Sequence, residues 1–360
     1  MSLRIVDADA HVYENRHTFS YIEPEFAHFT PMQMTQNWGP GFDGARNLQH
    51  KEFWLIDKTV YPVYQNIDPK NTTAETRELT NLAARLQHMD ELEIDIQVLY
   101  PTLFLATKTV NPEWEYHLLR SYNRWLADIW KDSDGRLPWV VLPPLRTMER
   151  VRGELAFAKD NGAVAIMLAG YECERQMDDP YFNPLWEAAQ EFDLACCFHS
   201  GNHSMDYINM MGISRSGDRF VVNRSPGINA FHVLMMNNIP AKYPKVRWGF
   251  IEFSASWLPF ILSYEEINKN RGLTDGAKRF DPKTALEENN IWVACQVTDD
   301  LNYLVETVGE NRLVIGTDYG HADTAAEIAA MQKIRDQGKI PAQAANKILD
   351  ANARALYGLA

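Results

Sequence analysis

The sequence predicts an α/β protein: a (β/α)8 TIM barrel, distorted, with a long aromatic-rich insertion after its first strand. Three observations predict it. Eight short, nearly continuous apolar runs alternate with segments of helical spacing, the pattern of parallel strands buried on both faces. Several of these runs end in His, Asp or Glu, and the C-terminal ends of barrel strands are where such a fold carries its chemistry. An open doubly wound sheet would carry a Gly-rich phosphate turn after its first strand, whereas Ile5-Val-Asp-Ala-Asp-Ala-His11 has no glycine.

In the first strand, extended geometry puts Asp7, Asp9 and His11 on one face and Val6, Ala8 and Ala10 on the other. A carboxylate and an imidazole two residues apart can grip one ion. An Asp-x-His pair alone matches by chance, so it gains meaning only from ligands supplied elsewhere. Residues 13–73 then break the pattern with aromatics, Pro and Gly, as in Tyr21-Ile-Glu-Pro-Glu-Phe26 and Asn37-Trp-Gly-Pro-Gly-Phe42. A long insertion at a barrel mouth is expected to be a lid or an interface. Within it Arg46, Trp54 and Lys58 are either substrate contacts or internal supports of the lid.

From Thr73 the chain becomes regular. A helix is expected over 74–91, spaced through Leu79, Leu82, Leu86 and Met89, and a strand over 94–102 ending in Pro101. A helix over 112–131, with Pro112 in its first turn, leads to a strand over 137–142 closed by Pro143-Pro144. The alternation continues with a helix over 147–160, a strand over 164–168, a helix over 183–191 and a strand over 194–199. A helix over 227–238, a strand over 246–252, a helix from Trp257, a strand over 291–296 and a helix over 299–307 follow. A strand over 313–318 and helices over 323–336 and 341–355 close the chain. The whole reads as a single domain over 1–360 with 13–73 inserted.

The composition bounds the partners. With 360 residues, 46% of them apolar and 11% aromatic, the chain can bury a full core, and its net charge of −13 gives no basic field for a nucleic-acid backbone or an anionic membrane. A small-molecule substrate is expected. Cys173, Cys196, Cys197 and Cys295 lack zinc-knuckle spacing and read as reduced core residues. No apolar signal segment precedes the first acids and no run approaches a membrane span, so a cytoplasmic location is expected.

Asp9 and His11, His199, Glu252 and Asp318 each follow an apolar run and should converge on one mouth. Taken singly, each has a plainer reading as a hydrogen-bonded strand end or a helix cap. Together, imidazole and carboxylate suit a divalent transition metal, zinc or manganese or iron, and the lack of thiolates argues against a closed structural zinc. Such an ion lowers the pKa of water towards about 7, and Asp318, Glu252 or His199 can move the proton. No organic cofactor is required.

These segments resemble the amidohydrolase superfamily, in its branch related to aminocarboxymuconate semialdehyde decarboxylase. The likeness rests on Asp7-Ala-Asp-Ala-His11, on Asp179-Pro-Tyr-Phe-Asn-Pro-Leu-Trp186 leading into Cys197-Phe-His-Ser-Gly201, and on Phe250-Ile-Glu-Phe-Ser-Ala-Ser-Trp257. Ile315-Gly-Thr-Asp-Tyr-Gly-His321 and the closing Ile348-Leu-Asp-Ala-Asn-Ala-Arg-Ala-Leu-Tyr357 complete it. The resemblance implies that Asp9, His11, His199 and Asp318 hold the metal, one ion in the simplest case. It also implies hydrolysis or non-oxidative decarboxylation of a small carboxylated or ring-containing molecule.

Two departures matter. The strand-four segment, 163–169, offers no lysine for the carbamate that bridges two ions in some members. Glu252 stands where the decarboxylases place a histidine, and a carboxylate cannot replace a cationic donor. With Glu252 as a ligand, joined by His203, His232 or His321, two ions have enough donors, and a dinuclear iron or manganese–iron oxygenase becomes a second expectation. His232 sits on a helix, which favours packing behind the ligands, while His203 and His321 lie on loops that reach the mouth. Arg215, Arg219 and Arg224 are candidates for a substrate carboxylate, against a plainer reading as solvated or subunit-bridging residues. A third expectation is a non-catalytic partner subunit with a residual metal site. Finally, the aromatic insertion predicts a homodimer or higher oligomer.

Overall fold

Eight strands follow one another in chain order around a parallel sheet in the computed structural model, which describes residues 4–35, 52–63, 66–211, 220–274, 276 and 278–360. They are β1 (Val6–Val12), β2 (Ile96–Pro101), β3 (Trp139–Val141), β4 (Ala163–Leu168), β5 (Ala195–His199), β6 (Trp248–Ile251), β7 (Ile291–Cys295) and β8 (Leu313–Ile315). The first and last meet where Ala10 pairs with Tyr319, where the His11 N–H donates to Tyr319 O at 3.0 Å, and where the Asp318 N–H donates to Asp9 O at 2.9 Å. The result is a nearly closed (β/α)8 barrel. Every residue of β1, β3, β5, β6, β7 and β8 is buried, which is why the sequence shows apolar runs rather than alternation.

The helices form where the spacing places them, with three instructive differences. The helix Pro112–Lys131 starts as expected, because Asn111 accepts from Glu113 N–H at 3.0 Å and Trp114 N–H at 3.3 Å. The segment 74–91 instead divides into Ala74–Arg77 and Leu82–Glu91, broken by Leu79 at φ 52° and restarted by Asn81 as a cap. The expected helix over 323–336 shrinks to Ala330–Asp336, because the residues before it are committed to the barrel mouth: Glu327 N–H donates to Thr317 O at 3.1 Å. The closing helix carries a π turn, Lys347–Ala351, between Ala342–Asn346 and Asn352–Tyr357, and Tyr357 Oη donates to Ala8 O at 2.7 Å to pin it on β1.

The insertion has its own structure. Two 3-10 turns, Thr18–Tyr21 and Pro24–Phe29, precede an antiparallel sheet of Met32–Thr35, Glu52–Ile56 and Thr59–Pro62. Trp54 is 2% exposed and packs edge-on against Phe19, so it supports the insertion from inside, while Lys58 is exposed in the turn between the last two strands. Arg46 lies outside the described residues. All four cysteines are free thiols, and no described helix is long and apolar enough to cross a membrane.

Candidate metal centre

The mouth is built on β1. The pairing of β1 with β2 shifts register between Asp7 and Ala10, and the two acids of β1 lie in successive layers along the strand. Asp7 lies below, with its carboxylate consumed by Thr317 N–H at 2.8 Å, Thr317 Oγ1–H at 2.6 Å and Gln97 Nε2 at 2.9 Å. Asp9 and His11 lie above. His11 Nδ1 donates to Pro101 O at 2.7 Å, which leaves Nε2 as the bare nitrogen facing inward. At the end of β5, His199 repeats the device: Nδ1 donates to Ser200 O at 3.0 Å and Nε2 turns to the centre.

Around these two imidazoles the acids close in. His199 Nε2 stands 3.2 Å from Asp9 Oδ1 and 3.4 Å from Glu252 Oε2; His11 Nε2 stands 3.4 Å from Asp9 Oδ1 and 3.2 Å from Asp318 Oδ1. His321 joins them. Its ring stacks on His11 at 3.9 Å, Nδ1 is 2.7 Å from Asp318 Oδ1, and Nε2 is 3.0 Å from Thr102 Oγ1. Three overlapping sets of ligand-type atoms result, each within 4.8 Å: Asp9, His11, His199 and Glu252; His11, Asp318 and His321; Glu252, Asp318 and Asp323.

Two of the acids are held in an unusual backbone. Glu252, just past β6, has φ 67°, and Asp318, past β8, has φ 53°. The left-handed region is unfavourable for a side chain such as Glu, costing on the order of 1 kcal/mol, and such positions persist where the surroundings over-determine them. Here they turn two carboxylates from the barrel wall into its mouth.

The electrostatics ask for a cation. Burial pushes Glu252 up to about 8 against the pull of His199, with Asp323 and Asp9 adding to the rise. Burial likewise drives Asp318 far above the carboxylate range, reinforced by Glu252, Asp323 and Asp9. Burial also opposes the charge on Asp9, but His199 and His11 outweigh it and hold this acid well below its usual value. Burial disfavours the His199 cation too, yet Asp9 and Glu252 lift it to about 9. The buried His11 Nε2 and both Asp318 carboxylate oxygens make no hydrogen bond of normal geometry among the described residues. Orphaned nitrogen and oxygen atoms of this kind, in a buried and carboxylate-rich cluster, fit a divalent ion.

Asp9, His11, His199, Glu252 and Asp318 are thus brought together, and His321 with them. Sequence reasoning missed Asp323, whose only signal was a third polar side chain in Asp318-Tyr-Gly-His321-Ala-Asp323. Arg224 lines the mouth, its Nη2 donating to Thr324 Oγ1 at 3.2 Å, whereas Arg215 and Arg219 lie outside the described residues. His232 is elsewhere, on the helix Ser225–Met236, with Nδ1 2.6 Å from Glu265 Oε1.

His203 is placed to tie loops together. Nδ1 is 2.8 Å from Glu172 Oε1, and Nε2 is 2.9 Å from Phe104 O, so three loops above β2, β4 and β5 meet on one ring. Burial opposes its charge, but Glu172 raises it above the ordinary imidazole value. His203→Ala is therefore expected to destabilise the protein by about 3 kcal/mol, since Glu172 is left buried without its partner. The charge contribution is complete below the unfolded value near 6.5 and lost as pH rises through the elevated folded value. Melting curves should show the widest gap between wild type and variant near pH 6, narrowing in alkali, with bound metal unchanged.

Fold and site together define a parallel barrel with a candidate metal centre at the C-terminal ends of its strands. The chain belongs to the amidohydrolase family, whose model matches residues 6–359. No curated protein matches the sequence. Among solved structures, an amidohydrolase from Mycobacterium avium subsp. paratuberculosis K-10 is 18% identical, with 99% of this chain and 100% of that chain covered and a TM-score of 0.78. The 5-carboxyvanillate decarboxylase of Sphingomonas paucimobilis is 16% identical, with 100% of both chains covered and a TM-score of 0.70. That of Novosphingobium aromaticivorans, complexed with manganese and 4-hydroxy-3-methoxy-5-nitrobenzoic acid, is 16% identical, with 99% and 97% covered and a TM-score of 0.68.

Proposed function

We propose that the protein is a metal-dependent enzyme that acts on a small ring-bearing carboxylate, by non-oxidative decarboxylation first and hydrolysis second. The observation that carries this reading is the buried set Asp9, His11, His199, Glu252 and Asp318 at the mouth of an amidohydrolase-family barrel. Asp9, His11, His199 and Asp318 would hold the ion, with Glu252 beside them, and the carboxylate-rich donors favour manganese or iron over zinc. A bound ion would supply Lewis-acid stabilisation of charge on substrate oxygens.

The chain's own residues do the rest. When the bond from ring carbon to carboxyl carbon breaks, the electron pair stays on the ring carbon, CO2 leaves, and a proton must reach that carbon. Asp318 is placed to hold that proton on its carboxyl group, buried and flanked by His321. Thr102, through His321 Nε2, keeps that imidazole turned towards Asp318. The cavity, about 840 Å3, is wide enough for a substituted benzene ring, and its lining mixes Leu103 and Leu105 with Glu252, Arg224 and Asp323.

Anaerobic incubation of manganese-loaded protein with 5-carboxyvanillate, 2,6-dihydroxybenzoate and related ring carboxylates should release CO2 stoichiometrically with loss of substrate. A second reading, a dinuclear oxygenase, needs two ions, and the one observation that bears on it is that Glu252, Asp318 and Asp323 form a ligand-type set that shares Glu252 with the one around His199. It predicts two ions per chain and dioxygen uptake with substrate and reductant. Anaerobic silence combined with such uptake would replace the first reading by the second.

A further inference from the structure

Sequence reasoning looked to arginines for an anion site and passed over Lys108. This residue follows the short turn Leu103–Leu105 after β2 and lies in the wall between two cavities. On one side is the mouth, whose lining contains Glu252, His321 and Asp323, and in which Lys108 and Arg224 are the lysine and arginine cations among the described residues. On the other is a smaller, mainly apolar cavity of about 50 Å3, bordered by Phe104, Leu118, Leu142 and Met167 and also by Glu115, Glu172 and His203, too small for a ring. An amphipathic lysine suits such a wall, since its apolar stem and its ammonium can each be satisfied by a different neighbour.

The two cations are not equivalent. Arg224 is held by Thr324 and acts electrostatically on Glu252, so its charge belongs with the acids of the metal centre. Lys108 has no hydrogen bond or ion pair within 4 Å through Nζ among the described residues. Its ammonium lies over the Tyr61 ring at 4.5 Å, and the Tyr61 hydroxyl donates to Lys108 O at 2.9 Å, so the insertion sets its position. The acid that bears on it electrostatically is Glu14, whose Oε2 accepts from Leu103 N–H at 2.8 Å and which lies beyond ion-pair distance. Burial lowers the lysine to about 8, which leaves it mostly cationic at neutral pH.

We infer that Lys108 is a specificity-determining residue that binds a second carboxylate of the substrate, remote from the carboxylate at the metal centre. An ammonium with no acid within 4 Å among the described residues, on a residue that lines a substrate-sized cavity, has hydrogen-bonding capacity left for a carboxylate. The inference rests on the reading of the mouth as a ring-carboxylate site and narrows its substrate class to aromatic dicarboxylates.

Titration calorimetry on manganese-loaded protein, with isophthalate and terephthalate against benzoate, tests it without turnover. The wild type should bind at least one dicarboxylate about 10-fold or more tighter than benzoate, the worth of one charge-assisted hydrogen bond. Lys108→Met should abolish the preference while keeping its manganese content, and Lys108→Arg should retain part of it. A preference that survives Lys108→Met, or a wild type with none, overturns the inference. If CO2 release fails while the Lys108-dependent preference persists, the decarboxylation reading falls and the anion site stands; normal CO2 release without the preference does the reverse.

Discussion

His199→Ala is expected to abolish both metal retention and turnover. His199 Nε2 lies 3.2 Å from Asp9 Oδ1 and 3.4 Å from Glu252 Oε2, and it is aimed by the bond from Nδ1 to Ser200 O. Removing it deletes one neutral ligand and leaves two buried carboxylates facing each other without the group that separates them. Loss of the ion forfeits several kcal/mol of transition-state stabilisation, a fall in turnover on the order of 10^3-fold or more. The fold should survive, because the strand around His199 is anchored on both sides: Cys196, Cys197 and Phe198 pair with β4 and with β6. The checking measurements are metal content by elemental analysis, rate on the turned-over carboxylate, and a far-ultraviolet spectrum. Retained metal and rate in His199→Ala would remove His199 from the centre.

Gly316→Ala should damage fold and site at once. A Cβ at 316 would lie 2.3 Å from Asp9 Cβ and 2.9 Å from Asp9 Cα and N. No rotamer change can relieve this, because Asp9 Cβ is fixed by the backbone of β1, which the added carbon also meets, at the seam of the barrel. Overpacking of this kind costs about 3 kcal/mol, or roughly 5 °C in melting temperature, and it must displace Asp9, so metal affinity should fall with stability. Gly153→Ala is the control. It sits in the helix Met148–Asp160 with nothing within 4 Å of the added carbon, and the gain in helix propensity should raise stability by about 0.5–1 kcal/mol. A Gly316→Ala protein that melts with the wild type and binds metal equally would contradict the seam described here.

Much of the site was legible because parallel barrel strands are apolar throughout, so a terminal His, Asp or Glu stands out against its own strand. His199 after Ala195-Cys-Cys-Phe198 and Asp318 after Leu313-Val-Ile315 are of this kind. What could not be read is conformational. The positive φ of Glu252 and Asp318 turns them inward, and no residue type announces it in a glutamate. The hydrogen bonds from Thr317 and Gln97 that occupy Asp7 come from residues distant in sequence, and nothing beside Asp7 announces them. Likewise the helix over 323–336 began late because Asp323 accepts from Ala325 N–H at 2.7 Å and stays in the mouth, a tertiary demand that overrode helical spacing. Lys108 was hidden for a different reason: a single lysine proposed to bind an anion has no motif, only a place.

The central claim is that Asp9, His11, His199 and Asp318 hold a transition-metal ion at the barrel mouth. Anomalous diffraction from crystals of protein purified without chelator, recorded at the manganese, iron and zinc edges, tests it most directly. The account predicts an anomalous peak within coordination distance of His11 Nε2, His199 Nε2 and the carboxylates of Asp9 and Asp318, absent in the His199→Ala crystal. A wild-type mouth with no anomalous peak at any of the three edges, in protein that turns over substrate in the presence of chelator, would contradict it.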